Sequence, residues 1–81
     1  MQDIKRELGE IADNFYQNRN IEGIQRMPAF IEVLTGRIEQ LNEQEQMNYI
    51  VIMKNLLGAY EQKEYVMVAD ILNYEVTPLL D

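Results

Sequence analysis

The stretch Ile24-Gln-Arg-Met-Pro-Ala-Phe-Ile-Glu-Val-Leu-Thr-Gly-Arg-Ile-Glu-Gln-Leu41 decides the fold. Its apolar residues fall at Ile24, Met27, Ile31, Leu34, Ile38 and Leu41, in alternating steps of three and four. On an α-helix such steps lay a narrow stripe along one side and aim it at a neighbouring helix. Pro28 interrupts the stretch chemically, because it lacks an N–H and its ring crowds the carbonyl four residues back. The stripe keeps its phase across Pro28, so the residues read as one helix, about Ile21 to Leu41, with a kink. The alternative is a first piece ending at Met27, with Pro28 as the first helical position of a second. Gly23 weakens the first turn by about 1 kcal/mol.

Working outward, Ile4, Leu8, Ile11 and Phe15 are spaced four, three and four apart and predict an amphipathic helix from about Asp3 to Asn18. Asp3 is placed to cap it, and Asn20, with Glu22 behind it, to cap the next. The break at Asn18 to Asn20 is short, which makes the first two helices antiparallel neighbours. Asn42 and Glu45 form a near-capping box at the start of a third helix, about Glu43 to Gln62. Its apolar residues, Met47, Tyr49, Ile50, Val51, Ile52, Met53, Leu56, Leu57 and Tyr60, cover most of the circumference. A helix apolar nearly all round is expected to be buried on more than one side.

After a break at Gln62 to Glu64, a last helix runs from about Glu64 to Leu80. Tyr65, Val68, Ala69, Leu72, Val76 and Leu79 form one face, with Met67, Ile71 and Tyr74 beside it, and Pro78 ends or kinks the tail. The expected architecture is an all-α, antiparallel four-helix bundle with a Pro-kinked second helix. It forms one domain over residues 1–81, without linkers or internal repeats.

Eighty-one residues lie near the lower limit for burying an independent core. The usual aids are disulfides, a metal or a second subunit. The sequence contains no Cys and no His, so disulfides and thiolate or imidazole metal sites are excluded. Ser is absent too, so neither a serine nor a cysteine triad can be assembled, and no activity as an enzyme and no cofactor are expected. Gly9, Gly23, Gly36 and Gly58 are isolated within helices, outside any phosphate-binding pattern; such glycines commonly permit close helix packing.

The net charge of −7 is uneven: residues 42–81 hold seven acidic groups against Lys54 and Lys63. This field opposes nucleic acid and anionic lipid. The longest apolar run, Tyr49 to Met53, is far short of the ~20 residues that span a bilayer, and no apolar signal core precedes the first helix. A cytoplasmic location is expected.

Two clusters invite a functional reading. Asp70 and Tyr74 share a face at four-residue spacing, with Glu75 further round, so the Tyr74 phenol could donate to Asp70. The structural reading is a carboxylate fixing a tyrosine at a packing edge; the alternative is a site for a hard divalent cation or small cationic ligand at Asp70 and Glu75. The tyrosines and methionines are the other feature, Met27, Met47, Met53 and Met67 reading as core filler. If helices three and four each carry two apolar strips, one strip of each stays in water, an expected interface of Tyr49, Ile52, Leu56, Tyr60, Met67, Ile71 and Tyr74. The partner expected there is protein, in the first place a second copy in a homodimer. The role expected is that of an interaction or adaptor module, chaperone-like toward an amphipathic segment.

Residues 56–80, Leu-Leu-Gly-Ala-Tyr-Glu-Gln-Lys-Glu-Tyr-Val-Met-Val-Ala-Asp-Ile-Leu-Asn-Tyr-Glu-Val-Thr-Pro-Leu-Leu, resemble the carboxy-terminal part of small uncharacterised all-helical proteins of Gram-positive bacteria. Glu61, Lys63, Tyr65, Ala69, Asp70, Leu72, Tyr74, Glu75 and Pro78 carry the match. Glu64 stands where that pattern often has Asp, the better helix cap. The resemblance implies an all-helical bundle and lends no activity. The helical chaperones of flagellar export are similar only in size and acidity, an analogy of fold alone.

Overall fold

The computed structural model describes the backbone of residues 2–80 and the side chains of residues 4–80. It is all-helical: α1 (Gln2–Tyr16), α2 (Asn20–Ile38), α3 (Glu43–Glu61) and α4 (Tyr65–Ile71) are followed by a π turn (Leu72–Val76) and a final α5 (Thr77–Leu80). No strand occurs among the described residues. The fourth helix foreseen from the sequence is the continuous run of α4, π turn and α5. α1 packs on α2 along one side and on α4, the π turn and α5 along another; α3 lies on α4, and α2 and α3 touch lightly. One core serves all of them, with Leu8, Ile11, Phe15, Met27, Leu34, Leu56, Val68, Leu72 and Val76 fully enclosed. No described helix is long and apolar enough to cross a membrane.

α2 runs unbroken through Pro28, so the two-piece reading does not apply. The residues it buries are Gly23, Met27, Phe30 and Leu34. Ile24, Ile31, Ile38 and Leu41 are only half-buried at the core edge. The stripe read from the sequence is therefore rotated toward Gly23 and Phe30. Gly23 explains the rotation: a Cβ there would lie 2.6 Å from Phe15 Cε1 and 2.7 Å from Cζ, so the bare backbone lets the Phe15 ring press against α2. That ring also stacks on Tyr65 of α4, centroids 5.2 Å apart and planes 5° from parallel. Phe15 thus joins three helices.

The connections α1–α2 and α3–α4 are built alike. Asn18 and Lys63 both adopt φ 61°, the left-handed conformation. Asn18 N–H donates to the Phe15 carbonyl (3.2 Å) and Arg19 N–H to that of Asn14 (2.7 Å); Lys63 N–H donates to Tyr60 (3.1 Å) and Glu64 N–H to Ala59 (2.9 Å). Both are Schellman turns, which satisfy the last carbonyls of a helix and end it at a residue in the left-handed conformation. The capping box of α3 is present as read: Glu45 N–H donates to Asn42 Oδ1 (2.9 Å) and Asn42 N–H to Glu45 Oε1 (3.4 Å). Asn20 is not the cap expected of it. It is the first residue of α2, Arg19 holds the cap position without a side-chain bond, and the buried Asn20 Oδ1 has no hydrogen-bond partner among the described residues. Asp3 falls within α1, and the capping expected of its side chain lies outside the described side chains.

Pro78 neither ends the last helix nor simply bends it. A π turn precedes it, in which the Thr77 N–H donates to the Leu72 carbonyl five residues back, and the Thr77 hydroxyl donates to the same oxygen at 3.0 Å. The wider turn accommodates a proline that would otherwise crowd the preceding carbonyl. It also keeps Val68, Leu72, Val76 and Leu80 on the buried side although they are four apart, a spacing that drifts by about 40° per step on a regular α-helix.

Candidate functional site

The structure divides the expected interface residues. Tyr49, Leu56 and Ile71 belong to the core of a single chain, so the exposed strip expected around them is corrected; Ile52 and Tyr60 are half-buried at its edge, and only Met67 and Tyr74 are exposed. Periodicity shows that α3 is apolar all round but not which strip faces inward. Packing on α4 selects Tyr49, Met53, Leu56 and Ala59. Of the methionines, Met27 and Met53 fill the core as read, whereas Met47 and Met67 lie exposed.

The strip left in water is the opposite side of α3. Glu43, Met47, Ile50, Lys54, Leu57 and Glu61 follow one another in steps of four and three along the whole helix, and all six are exposed. Met47 keeps 60%, Ile50 56% and Leu57 37% of its surface accessible, and exposed Val51 flanks the line. The spacing is that of a coiled-coil-type seam. Its signal was in the sequence, hidden among the other apolar residues of the helix. Beside it, between α3 and α4, runs an open cleft of about 440 Å³ whose lining includes Lys54, Gly58, Gln62, Met67, Ile71 and Glu75. Met67, which lines the cleft on the α4 side, is about half exposed.

The Asp70 cluster resolves differently from its local reading. Asp70 accepts a hydrogen bond from the Tyr16 hydroxyl of α1, and Asn73 Nδ2 donates to that hydroxyl at 3.5 Å. Tyr74, placed by spacing as the partner of Asp70, is instead 75% exposed. The carboxylate does fix a tyrosine at a packing edge, but one 54 residues away in the chain. The Asp70 bond, with burial second, raises the Tyr16 phenol above its ordinary pKa. Among the described residues no group of three or more His, Cys, Asp or Glu is arranged to hold a metal ion. Among the described residues Asp70 and Glu75 therefore gain no third ligand of these types, and Asp70 is already engaged by Tyr16.

A second polar cluster ties α1 to α2. Arg26 grips Glu7 with two bonds, Nε to Oε2 at 3.0 Å and Nη2 to Oε1 at 2.9 Å, and also donates to Glu10 and, at 3.5 Å, to Asn14 Oδ1. The hydrogen bond from Arg26 holds the Glu10 carboxyl below its ordinary range, and Glu7 followed by Glu10 raises the guanidinium. Nε, Nη1 and Nη2 of Arg26 all bond to side chains of α1, so the cluster reads as a clasp between helices.

The described residues form a small all-helical domain with an exposed, largely apolar line along α3. The chain belongs to the family described as Domain of unknown function (DUF8042), whose model matches residues 1–81. The match thus extends over residues 1–81, well beyond the carboxy-terminal stretch that carries the sequence resemblance. No curated protein and no solved structure matches the chain.

Proposed function

We propose that this protein is a non-catalytic helical interaction module, and that the outward seam of α3, extended by Met67 of α4, is its binding surface. One observation carries the reading: Met47, Ile50, Lys54 and Leu57, in steps of three, four and three, all stand in water on a side of α3 turned away from its core face. Leaving such a line exposed forfeits the burial that a facing helix would supply, about 25 cal/mol for each Å² covered. The expected role is that of an adaptor, or of a chaperone holding an amphipathic segment. A homodimer through α3 is the simplest assembly that would use the seam. We further read α1–α2 and α3–α4 as antiparallel hairpins, because connections of three residues favour packing of neighbouring helices side by side, and Pro28 as the point where α2 bends.

The test is Ile50→Asp, at an exposed position, so the fold should persist and circular dichroism should be unchanged. Wild-type protein is expected either to self-associate in light scattering or to take up a designed amphipathic helical peptide in a titration, and Ile50→Asp to abolish whichever occurs. A monomeric wild type that binds no such peptide overturns the proposal.

A further inference from the structure

The charges within the seam say what kind of helix it accepts. In order it reads Glu43, Met47, Ile50, Lys54, Leu57, Glu61: negative, two apolar, positive, apolar, negative. Lys54 forms no ion pair with a carboxylate among the described residues. In helix pairs of this type, charges at and beside the seam set partner and orientation.

A second copy fits poorly. Laid parallel and in register, Glu43, Lys54 and Glu61 each meet their own kind. Laid antiparallel along the full helix, Glu43 faces the second copy's Glu61 at both ends, and Ile50 faces a lysine. A copy slid by one heptad would gain Lys54–Glu43 pairs but would leave Leu57 and Glu61 uncovered. Each copy also brings a net charge of −7. Like charges opposed across a seam are the usual device by which self-pairing is suppressed.

We infer that the seam of α3 takes a helix from a different protein, one with apolar residues facing Met47, Ile50 and Leu57, a cation facing each of Glu43 and Glu61, and a carboxylate facing Lys54. This rests on the reading of α3 as the binding surface and adds the chemistry of the occupant. Such a partner turns all three charged positions from repulsive to attractive while burying the same apolar line, the helix-in-groove mode of recognition.

The probes are designed helical peptides with identical apolar seam residues. One has Lys at the two end positions and Glu in the middle, and its counterpart has these charges reversed; both are made in either chain direction. Fluorescence anisotropy with the full chain at low salt should show the complementary peptide binding about tenfold or more tighter than its counterpart, three pairs changing sign at once. The preference should shrink at high salt, and Lys54→Glu should reduce it while leaving the fold intact. Ile50→Asp should remove binding of both peptides. Equal binding of the two peptides overturns the charge reading and leaves the binding surface standing. A dimer that Ile50→Asp dissociates and that excludes both peptides also overturns it, the occupant then being a second copy. A monomer that binds neither peptide removes both proposals together.

Discussion

Replacing Gly23 with Ala should destabilise the protein, although in an ordinary helix the same change stabilises. The propensity gain of alanine over glycine is about 1 kcal/mol, and less near a helix start. Against it stands a Cβ placed 2.6 Å from Phe15 Cε1, on a ring that is wholly buried and stacked on Tyr65. Such overpacking costs about 1–3 kcal/mol. The net expectation is a loss of about 1–2 kcal/mol, which in a domain of this size lowers Tm by roughly 4–15 °C. Gly9 and Gly36 provide the control, because a Cβ at either meets nothing within 4 Å. Gly9→Ala and Gly36→Ala should each gain up to about 1 kcal/mol. The assay is urea unfolding followed by helical circular dichroism, extended to a cycle with Phe15→Leu, whose smaller side chain should make the added methyl tolerable. The reasoning is refuted if Gly23→Ala matches its two controls, or if the cycle shows no coupling between Gly23 and Phe15.

Lys63, held at φ 61°, should gain about 1 kcal/mol on replacement by Gly, readable as a raised urea midpoint, while Asn18→Gly should change little because Asn tolerates the same conformation. Asn42→Ala removes the capping box and should cost about 1 kcal/mol in the same assay. Because the folded Glu10 carboxyl titrates below its ordinary range, its contribution is complete above that range and is lost as pH falls through the lowered value. Arg26→Met should flatten this acid limb in melts recorded against pH. The Tyr16, Tyr49 and Tyr60 phenols are raised, Tyr16 chiefly by Asp70 and the other two by burial, so their contribution is present below the ordinary phenol pKa of about 10 and is lost as pH rises through the higher folded values. Tyr16→Phe should cost about 1 kcal/mol at neutral pH and reduce the alkaline fall, read by phenolate absorbance alongside the melt.

How much of this was legible in the sequence follows from the range of each interaction. The helices, their breaks and the Asn42–Glu45 box rest on residues within a few positions of one another, and periodicity and cap chemistry expose them. The inward side of α2 does not, because its rotation depends on a ring in α1 finding room over Gly23. Lys63 carries no mark of the left-handed conformation, since the chain around it imposes what glycine would offer freely. The pairing of Asp70 with Tyr16 was hidden behind a nearer tyrosine with the right spacing. On α3 the apolar residues were plain, yet the core face and the outer seam differ only in what packs on them.

The wide turn from Leu72 to Val76 also gives the chain's last stretch an unusual tolerance of length. A π turn spends one residue more than an α turn on about the same rotation, so with one exposed residue excised there an ordinary helix would close over the gap and Thr77 to Leu80 would arrive in nearly the same phase. Leu80 would keep its place in the core in which it is now buried. The surplus residue is absorbed within the turn, so a deletion there is expected to be borne better than one in the regular helix on either side, where the tail would arrive about 100° out of phase.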